Sequence, residues 1–165
     1  MRFGPSDWLV HPQHGIGRVV KLEQRQFGEE RPREYYEIAI ASGTVWVPVE
    51  GPGHGLRKVT ARTELHKYRV LLRAQPRPVA SDIKERKLAI SERLREGSFR
   101  SRCELVRDLT AHGWGKPLNE STGTALRSIR QAVCSEWAAA EGVSLDVATR
   151  EVDELLLQGK AAFGS

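Results

Sequence analysis

The stretch Thr44-Val45-Trp46-Val47-Pro48-Val49 decides how the first third of the chain is read. Valine at every second position is the period of a β-strand with one apolar face. Val45, Val47 and Val49 are therefore expected on a core, with Trp46 and Pro48 facing outward. Pro48 has no N–H to donate to a neighbouring strand, which assigns this strand to the edge of its sheet. An edge strand with an outward indole can add a partner's strand and seat the indole in a pocket of that partner. Large aromatics are usually mostly covered, so the chain's own helices are an equal candidate for what lies over Trp46.

Upstream of that strand the texture is the same. Trp8-Leu9-Val10-His11 stops at Pro12, Gly15 and Gly17 bracket Ile16, and Arg18 to Arg25 reads as a second strand. Gly28-Glu29-Glu30-Arg31-Pro32 is a polar loop, after which Tyr36, Ile38 and Ile40 alternate with Tyr35, Glu37 and Ala39. Ser42-Gly43 turns the chain into the deciding strand. Four or five short strands predict a small SH3- or Tudor-like β-barrel over residues 1–60.

Downstream the period changes to that of helices. Gly51-Pro52-Gly53-His54-Gly55 reads as a flexible loop. Residues 61–77 are expected to form a connecting helix, Arg62 to Arg73 with Leu65, Tyr68 and Leu72 on one side, and a proline-stiffened linker that starts at Gln75. Residues 78–165 then read as a compact helical bundle. Ser81 is the expected N-cap of a helix to Arg95 that buries Ile83, Ile90 and Leu94. Ser98 caps the next, whose stripe is Phe99, Cys103 and Val106. Gly113 and Gly115 flank Trp114 in a break, and Leu126, Ile129, Val133 and Trp137 mark a longer helix that Gly142 stops. Ser144 opens the last one, with Leu145, Ala148, Val152 and Leu155 inward. The fold class is α+β, a β-barrel followed by an α-helical bundle.

With 39% hydrophobic and 28% charged residues, the 165-residue chain has the composition of a globular protein of one domain or two small ones. No apolar run approaches the roughly 18 residues of a spanning helix, and no export signal opens the chain, so Cys103 and Cys134 are expected as reduced thiols. The charge is uneven. Residues 61–130 carry 16 basic and 8 acidic side chains, whereas residues 131–165 carry 2 and 6. A basic middle segment suits an anionic partner, nucleic acid first, or is simply a solvated helical surface.

Little in the sequence supports catalysis. It has no glycine loop ending in Gly-Lys-Ser/Thr, and His11 and His14 stand without the Cys or carboxylate neighbours of a metal site. Cys103 lies on an apolar stripe, which argues against a nucleophile paired with His112. Glu104 and Asp108 read as a helical face. A binding protein is expected, without catalytic residues, metal or cofactor.

Several motifs together point further. Asp7-Trp8-Leu9-Val10-His11-Pro12-Gln13-His14-Gly15-Ile16-Gly17, Tyr35-Tyr36, Val45-Trp46-Val47-Pro48-Val49 and Gly55-Leu56-Arg57 resemble the CarD/CdnL family of bacterial RNA polymerase-binding regulators. Glu104-Leu105-Val106-Arg107-Asp108-Leu109 and Arg130-Gln131 are similar to the family's helical domain. The resemblance implies an N-terminal module, shared with the transcription-repair coupling factor, that pairs an edge strand with the polymerase β subunit. Arg25, Val45, Trp46, Val47 and Pro48 are then the polymerase-binding residues, with Trp46 standing where a relative has arginine. It also implies a helical domain that contacts promoter DNA at the upstream fork and stabilises the open complex, in a cytoplasmic, nucleoid-associated monomer.

One departure stands out. The family's helical domain wedges a tryptophan into the minor groove, and that position falls on Ala80 here, with the adjoining basic pair on Asp82 and Ile83. Lys84, Arg86 and Lys87, with Arg127 and Arg130 further on, are the expected phosphate contacts, sequence-independent and salt-sensitive. Trp114 is either a spatial substitute for the wedge or an aromatic packed on the bundle. The alternative function is a polymerase-docking adaptor whose helical domain binds another protein. A third reading, a Tudor-like peptide binder, requires Trp46, Tyr35 and Trp8 to form an aromatic cage.

Overall fold

The computed structural model describes residues 2–51 and 54–164; Pro52 and Gly53 of the expected flexible loop lie outside the described residues. The chain divides into two compact units, one ending at Val59 and the other beginning at Thr60.

The first unit is an antiparallel sheet of β1 (Trp8–His11), β2 (Gly15–Arg25), β3 (Arg33–Ile40), β4 (Gly43–Pro48) and β5 (Arg57–Lys58). Its strand order is β4-β3-β2-β1-β5, so the proline-bearing strand is at an edge, as its missing donor requires. Phe3, Leu9, Val19, Tyr36, Ile38, Val47, Val49 and Leu56 fill the core on one face, with Val45 packed partly against it. The Tyr36 hydroxyl is buried there and accepts from the Phe3 N–H at 3.0 Å. Gly17 lies under β3: a Cβ on it would stand 2.6 Å from Ile38 Cγ2, so only glycine lets the two strands close over the core. The register slips between Val19 and Lys21, a bulge that leaves Val20 51% exposed.

The second unit begins with a 3-10 turn (Arg62–Glu64), followed by α1 (Leu65–Leu72), α2 (Ile83–Arg95), α3 (Phe99–His112), α4 (Glu120–Glu141) and α5 (Leu145–Phe163). Ser98 and Ser144 cap α3 and α5 as their positions predict, and Gly142 ends α4 at φ 75°. Cys103, Val106, Val133, Trp137, Ala148 and Val152 are fully or almost fully buried along the expected stripes.

Five local readings differ. Helix α1 is no connector: Leu65, Leu71 and Leu72 belong to the helical core, and Tyr68 meets Phe99 edge-on at 4.8 Å. The segment after it is strapped down, with the Arg77 N–H donating to Asp108 Oδ1 at 2.9 Å. The cap of α2 is Asp82, whose Oδ2 accepts from the Glu85 N–H at 3.0 Å, not Ser81. Ile83 and Leu145 are 45% and 47% exposed. Each is the first residue of its helix, where the apolar stripe runs past the neighbouring packing surface. Glu104 and Asp108 are buried rather than solvated: Arg93 Nη2 donates to Glu104 at 2.6 Å, and Arg107 Nε donates to Asp108 at 2.8 Å.

One carboxylate joins three helices. Glu151 of α5 accepts from Trp137 Nε1 of α4 at 2.8 Å and from Arg69 Nε of α1 at 3.1 Å. Burial opposes the charge on Glu151, but the Arg69 and Trp137 hydrogen bonds outweigh it and hold the carboxyl below its usual pKa. A carboxyl depressed in the folded state adds stability above its unfolded pKa of about 4.5, lost as pH falls through the lower folded value. Glu151→Gln is therefore expected to lower Tm at neutral pH and to flatten the loss of stability below pH ~4.5, as read by thermal melts across an acid series. An acid profile unchanged by the substitution would contradict this role.

Candidate functional site

The β4 edge brings together every residue expected at it. In the β3–β4 ladder Trp46 stands opposite Glu37 and Pro48 opposite Tyr35, on the face away from the core. The half-buried Trp46 indole donates from Nε1 to Glu23 Oε1 at 3.3 Å, and the Arg25 guanidinium lies 4.6 Å over its ring. Phe27 adds a wall that sequence reading missed, 5.0 Å from Tyr35 and 6.3 Å from Trp46, with Arg25 5.4 Å above it. The only local signal for Phe27 was an apolar residue at the end of a polar strand.

This cluster is a cation–aromatic stack in which the cation is internal. Arg25 also donates to Glu23 at 3.2 Å, so one carboxylate orients both Arg25 and Trp46. Hydrogen bonding from Lys21 first, and from Trp46 and Arg25 as well, outweighs desolvation and lowers the pKa of the Glu23 carboxyl. The aromatic-cage reading loses one wall, because Trp8 on β1 is two strands from β3 and three from β4, and carries Arg18 at 5.3 Å instead. Among the described residues no strand lies beyond β4 in the sheet, so its outer backbone groups face a position where a further strand would pair.

The basic residues expected to contact DNA fall into three environments. Lys84 and Lys87 are exposed on α2. Arg86 is only 6% exposed and is corrected from the anion-contacting set. Its guanidinium donates to the Ala80 and Ser81 carbonyls at 2.9 and 3.0 Å, and to Asn119 Oδ1 and Thr122 Oγ1 at 3.1 and 3.0 Å. It thereby ties the segment before α2 to the start of α4, and little of it is left for a ligand. Trp114, Arg127 and Arg130 converge on a third place, a groove between α4 and α5. Arg130 forms an ion pair there with Asp153, and Trp114 is half-buried. Ala80, where a wedge would stand, is half-buried.

The remaining polar candidates are structural. His11 Nδ1 accepts from the Gln13 and His14 N–H groups at 3.0 and 3.2 Å, capping its own turn. Burial first, and the nearby His14 second, lower the His11 pKa. Cys103 and Cys134 are both buried. Among the described residues no group of three or more His, Cys, Asp or Glu side chains is placed to hold a metal ion. No described helix is long and apolar enough to cross a membrane.

Comparison with known proteins places both units. Residues 3–60 match the model of the CarD-like/TRCF RID domain, and residues 68–153 match that of the CarD C-terminal domain. The chain is also 26% identical over 145 residues to YdeB of Bacillus subtilis (strain 168), a protein named provisionally as a transcription factor; the match covers 86% of this chain and 94% of that one.

The burial of Arg86 is directly testable. Arg86→Leu leaves two carbonyls and two side-chain oxygens without their donor and is expected to cost about 2–4 kcal/mol of unfolding free energy by urea titration. A cost below about 0.5 kcal/mol, usual for an exposed side chain, would return Arg86 to the surface set.

Proposed function

Because the chain belongs to the CarD-like family of transcription regulators, we propose that it docks on the β subunit of RNA polymerase through β4 and steadies the open promoter complex by holding DNA with its helical unit. The observation that carries the docking half is the β4 edge itself. It is unpaired on its outer side, with Val45 and Val47 fixed to the core and Trp46 and Pro48 presented on the other face. Strand addition supplies main-chain hydrogen bonds, and the Trp46 indole supplies the large aromatic anchor on which such interfaces depend. Arg25 and Glu23 hold that indole in one orientation, which lowers the entropy lost on binding.

The DNA half rests on Lys84 and Lys87, exposed on one side of α2, with the aliphatic side chains of Ile83 and Leu88 exposed near them. Lysines contact phosphates without reading bases, so binding is sequence-independent and falls steeply with salt. Aliphatic side chains can also part base steps, as wedges in the minor groove do, and none here has the area of an indole. The protein acts as a monomer in the bacterial cytoplasm, associated with the nucleoid through the polymerase. It needs no cofactor.

A second reading is a docking adaptor whose helical unit grips a protein. Two observations favour it: Ala80 at the wedge position is half-buried, and Arg86 beside it is used up inside the fold. Two substitutions separate the readings. Trp46→Ala, with the sheet intact by circular dichroism, is expected to weaken binding to the isolated β lobe at least tenfold, about 1.4 kcal/mol. Lys84→Glu with Lys87→Glu is expected to weaken duplex binding and to reduce the slope of log affinity against log salt by roughly 2. Unchanged lobe affinity removes β4 as the docking edge, and an unchanged salt slope favours the adaptor.

A further inference from the structure

The groove between α4 and α5 holds Trp114, Arg127 and Arg130, which the sequence offers as DNA contacts, but its lining suits a different partner. Its floor is apolar, formed by Trp114 from the turn after α3, Leu126 from α4, and Leu156 and Leu157 from α5. Leu157 is 64% exposed, the most open of the large hydrophobic side chains among the described residues. The groove encloses about 400 Å³, within the range of sites that take a small ligand or a few side chains.

Its rim is basic. Arg127 stands on the α4 side, where it donates only to Thr124 Oγ1 of its own helix at 3.1 Å, and Lys160 stands on the α5 side. Among the described residues neither has a carboxylate partner. The one acid in the groove, Asp153, is paired with Arg130. The basic rim stands out because residues 131–165, which supply the whole of α5, carry a net negative charge of 4. Lys160 is one of only two basic residues in that segment.

We infer that this groove docks an acidic amphipathic helix of a partner protein. Leucine- or phenylalanine-sized side chains of that helix lie on the Trp114–Leu126–Leu156–Leu157 floor, and flanking Asp or Glu side chains pair with Arg127 and Lys160. Three features select this occupant. The groove runs between two helices and offers no strand edge, so the available mode is helix in groove, not strand addition. The exposed leucine and the cations on both sides match one apolar face flanked by acids. Nucleic acid fits less well, because a phosphate backbone is held by many cations, and among the described residues only Arg127 and Lys160 stand at this rim without a carboxylate partner. The inference does not rest on promoter binding and stands or falls apart from it.

The test uses the full chain and fluorescence anisotropy with four labelled probes. These are a helix-forming peptide with leucines at i, i+3, i+4 and i+7 and glutamates elsewhere, its lysine-for-glutamate counterpart, its serine-for-leucine counterpart, and a DNA duplex. The acidic peptide is expected to bind saturably in the micromolar range, and both counterparts at least tenfold more weakly. Leu157→Glu is expected to weaken the acidic peptide about tenfold, and Lys160→Glu several-fold, with β-lobe affinity unchanged in each. Both side chains are exposed, and the second variant reports on the rim without touching the floor. No saturable binding of the acidic peptide, binding insensitive to both substitutions, or displacement of the peptide by duplex DNA would overturn the inference. The last outcome would mark the groove as a nucleic-acid surface.

Discussion

Strand β4 has one residue, Pro48, that cannot donate to a neighbour, and the sheet places that strand at its edge, where no further strand follows among the described residues. The consequences spread through the first unit. With β4 at the end, its inner valines close a core only one sheet face deep, and everything polar or aromatic between them is pushed to the other face. That face collects Arg25, Phe27, Tyr35 and Trp46 into one stack. An edge strand is ordinarily a liability because it invites uncontrolled pairing. Here the open edge and an indole held by Glu23 and Arg25 lie on the same strand.

The helical unit follows a different economy. Part of its charge lies inside: Arg86, Arg107, Glu104, Asp108 and Glu136 are all buried. Several of them tie the connecting segments to the helices, as Glu136 does by accepting from both the N–H and the hydroxyl of Thr60, and Asp108 by accepting from the Arg77 N–H. Buried ionic and polar links of this kind add little net stability when intact but cost much when one partner is removed. They fix the course of the straps that enter and leave α1. Within residues 61–130 burial hides Arg86 and Arg107 but also Glu104 and Asp108, so the basic surplus of that segment stays at the surface, part of it on α2 and part at the α4–α5 groove.

What was legible in the sequence was local. Alternation and proline chemistry located β4 and its exposed face within six residues, and Ser98, Ser144 and Gly142 set helix ends through hydrogen bonds or backbone angles a few residues long. What was not legible depended on distant partners. Arg86 looks like any basic residue on a helix, and its acceptors Asn119 and Thr122 come from 33 and 36 residues away. The same holds for α1, whose apolar side becomes core only when α3 and α5 pack on it, and for Trp114, whose groove exists only once α5 is in place. Phe27 was missed because nothing in a strand's polar tail signals that it folds back over Tyr35.

On the proposed function, one chain holds polymerase and promoter together. This is tested most directly by the lifetime of an open promoter complex after competitor challenge, measured with the polymerase of the same organism in the presence and absence of this protein. The account predicts a longer lifetime, lost when Trp46→Ala replaces the native chain at equal concentration. A lifetime unchanged by the native chain, with polymerase binding confirmed in the same sample, would contradict it.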